Sequence, residues 1–384
     1  MAIRPLTSAE FPQAIALWQY CFRDDDAFSQ WYFHHRANAV LAALDEDDST
    51  IIAQLLTVPG DVFLRGQQRS GQLVSGVATA PAFRGRGHMT GLMRETLAYL
   101  HAQNSAVSTL FPFDYGFYQK YGWAQCADSL DIRAKLSQLP SARPEGAFQV
   151  FDDITGHEAD FSAIYHACFA NHSGLLVRSG SGFANWVTAK ATAHDHAALY
   201  SYNGAPEGYL LYRFAGRTLE VYEMGTLTPR ARRDCLSFLA GHASLLEDLV
   251  LTTPADDPTW RLLHEKARTV TLKPQGMLRL VSITQALTGL PTTGNASVVL
   301  QIQDQFAPWN QGNWQFSAAN GALQVTPTAA PAAATISIDS LTQWAVGYAS
   351  AQSLAHRGLN LPPVAIAAMD ELLAQQPTFL FEKY

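Results

Sequence analysis

The sequence predicts an α/β (α+β) protein: two domains with mixed central sheets flanked by helices, then a small α+β domain. Three observations point there. Over residues 1–142, helical and strand patterns alternate, an order that lays helices over a sheet. Over 143–286 the pattern restarts as an echo: Pro81, Arg84, a helix and a strand ending at Pro112 reappear as Pro229, Arg232, a helix and a strand ending at Pro254. Over 287–384 the texture changes to short alternating strands followed by helices. The limits rest on two turn-rich breaks, SQLPSARPEGA at 137–147 and LTGLPTTGNAS at 287–297. A length of 384 residues is itself too great for one core.

In chain order, residues 8–23 read as an amphipathic helix, and 51–58 and 72–79 as strands. A helix follows Gly87, then a strand over 106–111. The second stretch offers a helix over 161–170 and strands over 198–201, 207–214 and 218–226. A helix over 231–246 and a strand over 248–253 complete it. In the last stretch VVLQIQ alternates, WQFSAANGALQV reads as a hairpin, and TISI leads to Asp339 as the expected N-cap of a helix. PTAAPAAA, 327–334, reads as a loop.

Composition narrows the function classes. A hydrophobic share of 48% with 15% charged residues fits a globular chain. With 26 basic and 33 acidic residues the net charge is −7, against the basic excess of a nucleic-acid binder. The opening MAIRPLTSAEFPQAI lacks a signal-peptide core and no run of ~18 apolar residues occurs, so the expectation is a cytoplasmic protein with no membrane partner. Cys21, Cys126, Cys168 and Cys235 form no CxxC pair and are expected as free thiols. His34-His35 and His194-Asp195-His196 lack a third ligand at a sensible spacing, so no metal is expected. Asp24-Asp25-Asp26, flanked by Trp18, Phe28 and Trp31, reads as a solvated acidic turn. Lining a polyamine site is the alternative. No GxSxG elbow or Cys–His signature indicates covalent catalysis.

The segment VSGVATAPAFRGRGHMTGLMRETLAYL, 74–100, carries the chemistry. A strand ends near Thr79, and PAFRGRGH leads into a helix whose Met89, Leu92, Met93, Thr96, Leu97 and Leu100 recur at helical spacing. Gly85 and Gly87 let the backbone take positive φ and bring amides close to a ligand. Those amides, the helix dipole and the guanidinium groups of Arg84 and Arg86 make a site for a phosphate or diphosphate. There is no GxxxxGK[ST], and a dinucleotide fingerprint would need glycine where Thr90 stands.

Val77-Ala78-Thr79-Ala80-Pro81 followed by Arg84-Gly85-Arg86-Gly87 resembles the acetyl-coenzyme A loop of the GCN5-related N-acetyltransferases (GNAT), Q/R-x-x-G-x-G/A. Arg84 and Gly87 meet the first two fixed positions, and Met89 departs from the small third. FYQKYGW, 117–123, resembles the segment in which that superfamily places its general-acid tyrosine, here Tyr118. With the three-part layout, the chain resembles the enhanced intracellular survival (Eis) acetyltransferases: a GNAT domain, a degenerate second copy and a sterol-carrier-protein-like domain. The resemblance implies that Val77, Ala78, Thr79, Arg84, Gly85, Arg86, Gly87, His88 and Met89 bind acetyl-CoA. It also implies a homo-oligomer, commonly a hexamer, and amine acceptors such as aminoglycosides or lysine-containing peptides. In that family the terminal carboxylate, here of Tyr384, serves as base. The tail QQPTFLFEKY, apolar up to Phe381, is expected to be docked. Two alternatives stay open: a tandem aminoacyl transferase, and a lipid carrier working through the last domain.

Overall fold

The computed structural model describes residues 2–178, 195–263 and 268–381. They form two compact units, one of residues 2–126 with 276–376 and the other of 127–275 with 377–381.

The first unit is built on a seven-stranded sheet in the order Ile3–Pro5, Ala39–Leu44, Ile51–Pro59, Gly71–Thr79, Val107–Leu110, Met277–Leu280, Ala124–Gln125. Neighbours run antiparallel except Gly71–Thr79 and Val107–Leu110, which are parallel. The helix expected over 8–23 spans Phe11–Phe22, opened by a turn at Ser8–Glu10 where the Glu10 carboxylate accepts from the Thr7 amide at 2.7 Å. All six periodic residues of the helix His88–Ala102 are buried. All but Thr96 share a core with Leu41, Leu55, Val74, Tyr121 and Trp123, the last two with almost no exposure. Burying a side chain of that size contributes roughly 1.5–3 kcal/mol, so this face fixes the orientation of the helix and of the loop before it.

The same unit holds a four-stranded sheet in the order Ala322–Pro327, Gly312–Ala319, Ser297–Gln303, Ala334–Ser337. The expected hairpin turns at Asn320 and Gly321, both at positive φ (54° and 74°), which matches strand twist. The helix Ile338–Val346 is capped at Ser337, and Asp339 sits in its first turn instead of at the cap. That correction is physical. Ser337 keeps extended dihedrals while Asp339 is already helical, where its carboxylate still favours the positive helix end. Arg65, in the turn of the hairpin formed by Val62–Leu64 and Gln67–Arg69, donates to the carbonyls of Ala345 (2.6 Å) and Ala374 (2.9 Å), tying that hairpin to the helix Ile338–Val346 and the segment after Leu372.

The second unit repeats the plan in the order Ala147–Phe151, Asp195–Tyr202, Ala205–Ala215, Thr218–Thr226, Asp248–Pro254, Asp128–Lys135, Arg268–Pro274. Its one parallel pair, Thr218–Val221 against Asp248–Leu251, occupies the same place in the order as that of the first sheet. The echo is thus a repeated sheet, completed by a long-range strand in each case. Asp128–Lys135, ahead of the 137–147 break, lies in the second sheet, and Met277–Leu280, ahead of the 287–297 break, lies in the first.

Candidate acyl-donor cleft

The cleft begins where two parallel strands part. Gly71–Leu73 pair with Val107–Thr109, and beyond Leu73 the ladder stops. On its other edge Gly71–Thr79 carries a bulge, because Leu56 pairs with Ser75 while Gln54 pairs with Ala78. Gly76 makes the bulge possible: its φ is +59°, and a Cβ there would lie 2.3 Å from the Trp18 ring. A bulge bends its strand and lifts a residue off the ladder, so Val77–Thr79 diverge from the neighbouring strand.

The loop follows. A turn at Pro81–Phe83 ends at Arg84, whose Nε donates to the Thr79 carbonyl at 3.1 Å and whose Nη2 lies 3.7 Å from Cys21 Sγ. Arg84 therefore braces the loop against the strand it left. Gly85 and Gly87 have φ of +76° and +80°, and a Cβ at either meets nothing within 4 Å. Here glycine is required by backbone conformation, with open space in front of it. Gly87 is the N-cap of His88–Ala102 and supplies no side-chain cap. The Thr90 amide donates to the Gly87 carbonyl at 2.9 Å, closing the first turn, and the positive end of the helix dipole faces the same space. The Arg86 guanidinium sits 5.7 Å from the Phe83 ring centroid.

The opposite wall comes from the segment after Val107–Leu110. Asp114 caps the short helix Tyr115–Gln119 by accepting from the Phe117 amide at 2.6 Å. Together the walls enclose a cleft of about 850 Å³. All nine residues expected around the donor line it: Val77, Ala78, Thr79, Arg84, Gly85, Arg86, Gly87, His88 and Met89. Phe113, Phe117, Lys120 and Tyr121 line the other side, with Thr90, Phe83, Cys21 and Phe22. None of these was named as a site residue from the sequence. Lys120 and Tyr121 lay inside a motif already in view, whereas Cys21 and Phe22 carried no signal at all.

Tyr118 stands behind that wall. It is 3% exposed, with ring contacts to Phe113 (5.4 Å) and Phe117 (5.0 Å). Burial pushes its phenol well above the ordinary value of 10, so it keeps its proton at neutral pH. Tyr121 Oη lies 3.2 Å from Thr90 Oγ1, joining the two walls.

The second copy differs at the matching place. Thr228 caps Pro229–Ala240 by accepting from the Ala231 amide at 3.0 Å, and Pro229 offers no amide. Arg230 pairs with Glu207 (2.7 Å) and Arg232 with Asp257 (3.1 Å). Asp234 accepts from Tyr200 Oη and from the Glu145 and Gly146 amides. Where the first copy lines its cleft with a helix N-terminus that has no side-chain cap, the second answers its first turn and its arginines internally.

Other residues considered at the outset take ordinary places. Asp24 accepts from Trp18 Nε1 (2.8 Å), Asp25 caps the helix Asp26–His35 and Asp26 accepts from Gln19 (2.9 Å), so the acidic turn serves local structure. His35 Nδ1 lies 3.0 Å from the Trp31 carbonyl and His196 Nδ1 3.1 Å from Asp152. His194 lies outside the described residues. Among the described residues no group of three or more His, Cys, Asp or Glu is placed to hold a metal, and no helix is long and apolar enough to cross a membrane. Tyr384 also lies outside the described residues. The tail before it is docked on the second unit: the Phe379 amide donates to the Ser173 carbonyl (3.1 Å), and the Phe381 and Phe169 rings meet edge-on at 5.2 Å.

A mixed sheet splayed at its one parallel pair, with a glycine-turned helix N-terminus in the opening, defines an acyl-transferase fold of the GNAT class. Residues 2–126 and 174–280 match acetyltransferase (GNAT) domain families, and 283–380 match a sterol carrier protein domain family. An uncharacterized N-acetyltransferase of Streptomyces coelicolor is 23% identical over 327 residues, 79% of this chain and 76% of that protein. One from Streptomyces griseus is 23% identical over 331 residues, 80% of this chain and 78% of that protein. A probable N-acyltransferase of Enterococcus faecalis shares the fold with a TM-score of 0.91 at 24% identity, covering 100% of this chain and 99% of that one. Eis1 of Mycobacterium abscessus shares it at 0.81 and 21%, covering 100% of both. The chain belongs to the GNAT acetyltransferases and is an N-acetyltransferase with the tandem, Eis-like layout.

Proposed function

We propose that the protein transfers acetyl from acetyl-CoA to a small-molecule amine in the cleft of its first GNAT domain. The observation that carries this reading is the contrast between copies. The first presents an uncapped helix N-terminus, two positive-φ glycines and Arg86 to an open cleft, while the second answers the same donors with its own side chains. A diphosphate suits the loop amides and dipole. The pantetheine arm then runs into the opening between the parted strands, where backbone lifted by the bulge at Gly76 can polarise the thioester carbonyl.

The amine attacks that carbonyl, the tetrahedral intermediate collapses, and coenzyme A leaves as a thiolate that needs a proton. Tyr118 is the proposed donor, kept protonated by burial. The base is proposed to be the Tyr384 carboxylate, whose ordinary pKa of about 3.3–3.7 leaves it ionised and able to draw in a cationic acceptor. The docked tail up to Phe381 supports a held terminus. The functional domains are taken as 1–142, 143–286 and 287–384, with Asp128–Lys135 and Met277–Leu280 traded between the sheets of the first two. Aminoglycoside-like or lysine-type acceptors, a hexamer and a cytoplasmic location complete the reading by analogy with the resembled family.

Isothermal titration tests the donor site: coenzyme A binding should collapse in the Arg84→Ala/Arg86→Ala double variant. Unchanged affinity there sinks the assignment. A short tag after Tyr384 should abolish turnover without unfolding the protein, and full activity of a well-folded tagged enzyme rules the terminal carboxylate out.

A further inference from the structure

Lys120 is a cation that neither the fold nor the proposed proton transfers use. It follows the short helix Tyr115–Gln119, on the wall opposite the glycine loop, and it is exposed. Its Nζ lies 4.5 Å from the Phe117 ring centroid and 4.8 Å from that of Tyr121. Two ring faces thus hold an ammonium group that would otherwise sweep freely through solvent, and holding a cation in place lowers the ordering cost of binding an anion. Among the described residues no carboxylate pairs with it. Nor does any Asp or Glu line the cleft, which has Arg84, Arg86 and His88 on the far wall.

The charges divide between the walls. The loop wall holds the features that suit a diphosphate: consecutive amides, a helix N-terminus and Arg86. Arg84 is turned back onto the Thr79 carbonyl. A second anionic group on the same ligand needs its own cation, and Lys120 is the one across the gap. Coenzyme A carries such a group, the 3′-phosphomonoester of its ribose, separate in the covalent structure from the diphosphate. A phosphomonoester bears nearly two charges at neutral pH, with three acceptor oxygens, and an ammonium ion meets it as a point charge without needing a planar fork.

We propose that Lys120 recognises the 3′-phosphate of the donor and so makes the enzyme select coenzyme A over its 3′-dephospho form. This rests on the reading of the cleft as an acetyl-CoA site. The phenylalanine and tyrosine beneath Lys120 position it and leave the loop to the diphosphate. No bond is made or broken in this step; it is a charge interaction that distinguishes two ligands identical elsewhere.

The test titrates the full-length protein with coenzyme A and with 3′-dephospho-coenzyme A, in the wild type, Lys120→Ala and Lys120→Arg. The wild type should prefer coenzyme A by roughly five- to tenfold, the scale of one partly exposed charge-assisted contact. Lys120→Ala should lose that preference by weakening coenzyme A alone, and Lys120→Arg should keep most of it. Equal weakening of both ligands in Lys120→Ala would overturn the proposal by assigning Lys120 to the diphosphate. No preference in the wild type, or a preference untouched by Lys120→Ala, would overturn it by leaving Lys120 outside the contact. Failure of the wild type to bind either ligand would instead overturn the acetyl-CoA reading itself.

Discussion

Replacing Gly87 by alanine separates the shape of the donor loop from the stability of the fold. Gly87 has φ of +80°, and a Cβ there meets nothing within 4 Å, so the variant suffers strain without a clash. Left-handed backbone costs a non-glycine residue about 1–2 kcal/mol. For a unit of this size each kcal/mol lowers Tm by about 2–4 °C. Gly204, in the turn after Tyr202, offers a matched control, with φ of +81° and the same open surroundings. Gly204→Ala therefore carries equal strain far along the chain from the loop. What differs is the space the new methyl enters. At Gly87 it is the mouth of the cleft, where the proposed donor's diphosphate would come within hydrogen-bonding reach of the helix N-terminus. Loss of even one such charged contact, about 1.5–3 kcal/mol, raises the coenzyme A Kd by at least about tenfold. Thermal melts and isothermal titration on both variants read the two effects. Both should melt a few degrees early, and only Gly87→Ala should bind weakly. Undiminished affinity in Gly87→Ala, or an equal loss in Gly204→Ala, refutes the reasoning.

Other outcomes follow from the same geometry. Tyr118→Phe should lower kcat by about a hundredfold or more while leaving the coenzyme A Kd unchanged. Because burial raises the Tyr118 phenol above 10, the wild-type kcat profile should show no alkaline fall from this group below pH 10, and such a fall that disappears in Tyr118→Phe counts against the raised phenol. Asp304→Ala strands the fully buried Arg279, which donates to Asp304 at 2.7 Å and to the Tyr121 carbonyl at 2.9 Å. Urea unfolding should show a loss of about 3–5 kcal/mol, and a loss below about 1 kcal/mol contradicts the network. Glu10 is held at about 2, first by the Arg4 guanidinium and then by the Thr7 amide, below its ordinary 4.5. Its contribution is therefore complete above pH 4.5 and disappears as pH falls towards 2, so Glu10→Gln should flatten stability across that window, and an unchanged slope there disproves the linkage.

Local signals in the sequence determined much of this protein. The spacing of Met89, Leu92, Met93, Thr96, Leu97 and Leu100 set one face of a helix, and burial of all six followed because only that face reaches the sheet. Gly85 and Gly87 announced positive φ, and Asn320-Gly321 announced a hairpin turn, because few residues adopt those dihedrals at low cost. The nine residues that line the loop wall of the cleft were legible as one group for the same reason: they are contiguous or nearly so, and their geometry is local. What the tertiary structure alone decided is non-local. Met277–Leu280 completes the first sheet and Asp128–Lys135 enters the second, pairings that no periodicity within either strand encodes. Arg279 reads as a surface residue until Asp304, 25 positions on, meets it in the interior. Cys21, Phe22 and Lys120 become neighbours of the loop only when the first helix and the segment after Val107–Leu110 fold onto opposite sides of the parted strands. The closure of the second copy is of the same kind. Its Arg230 and Arg232 look as available as Arg84 and Arg86 along the chain, and only the fold brings Glu207 and Asp257 to neutralise them.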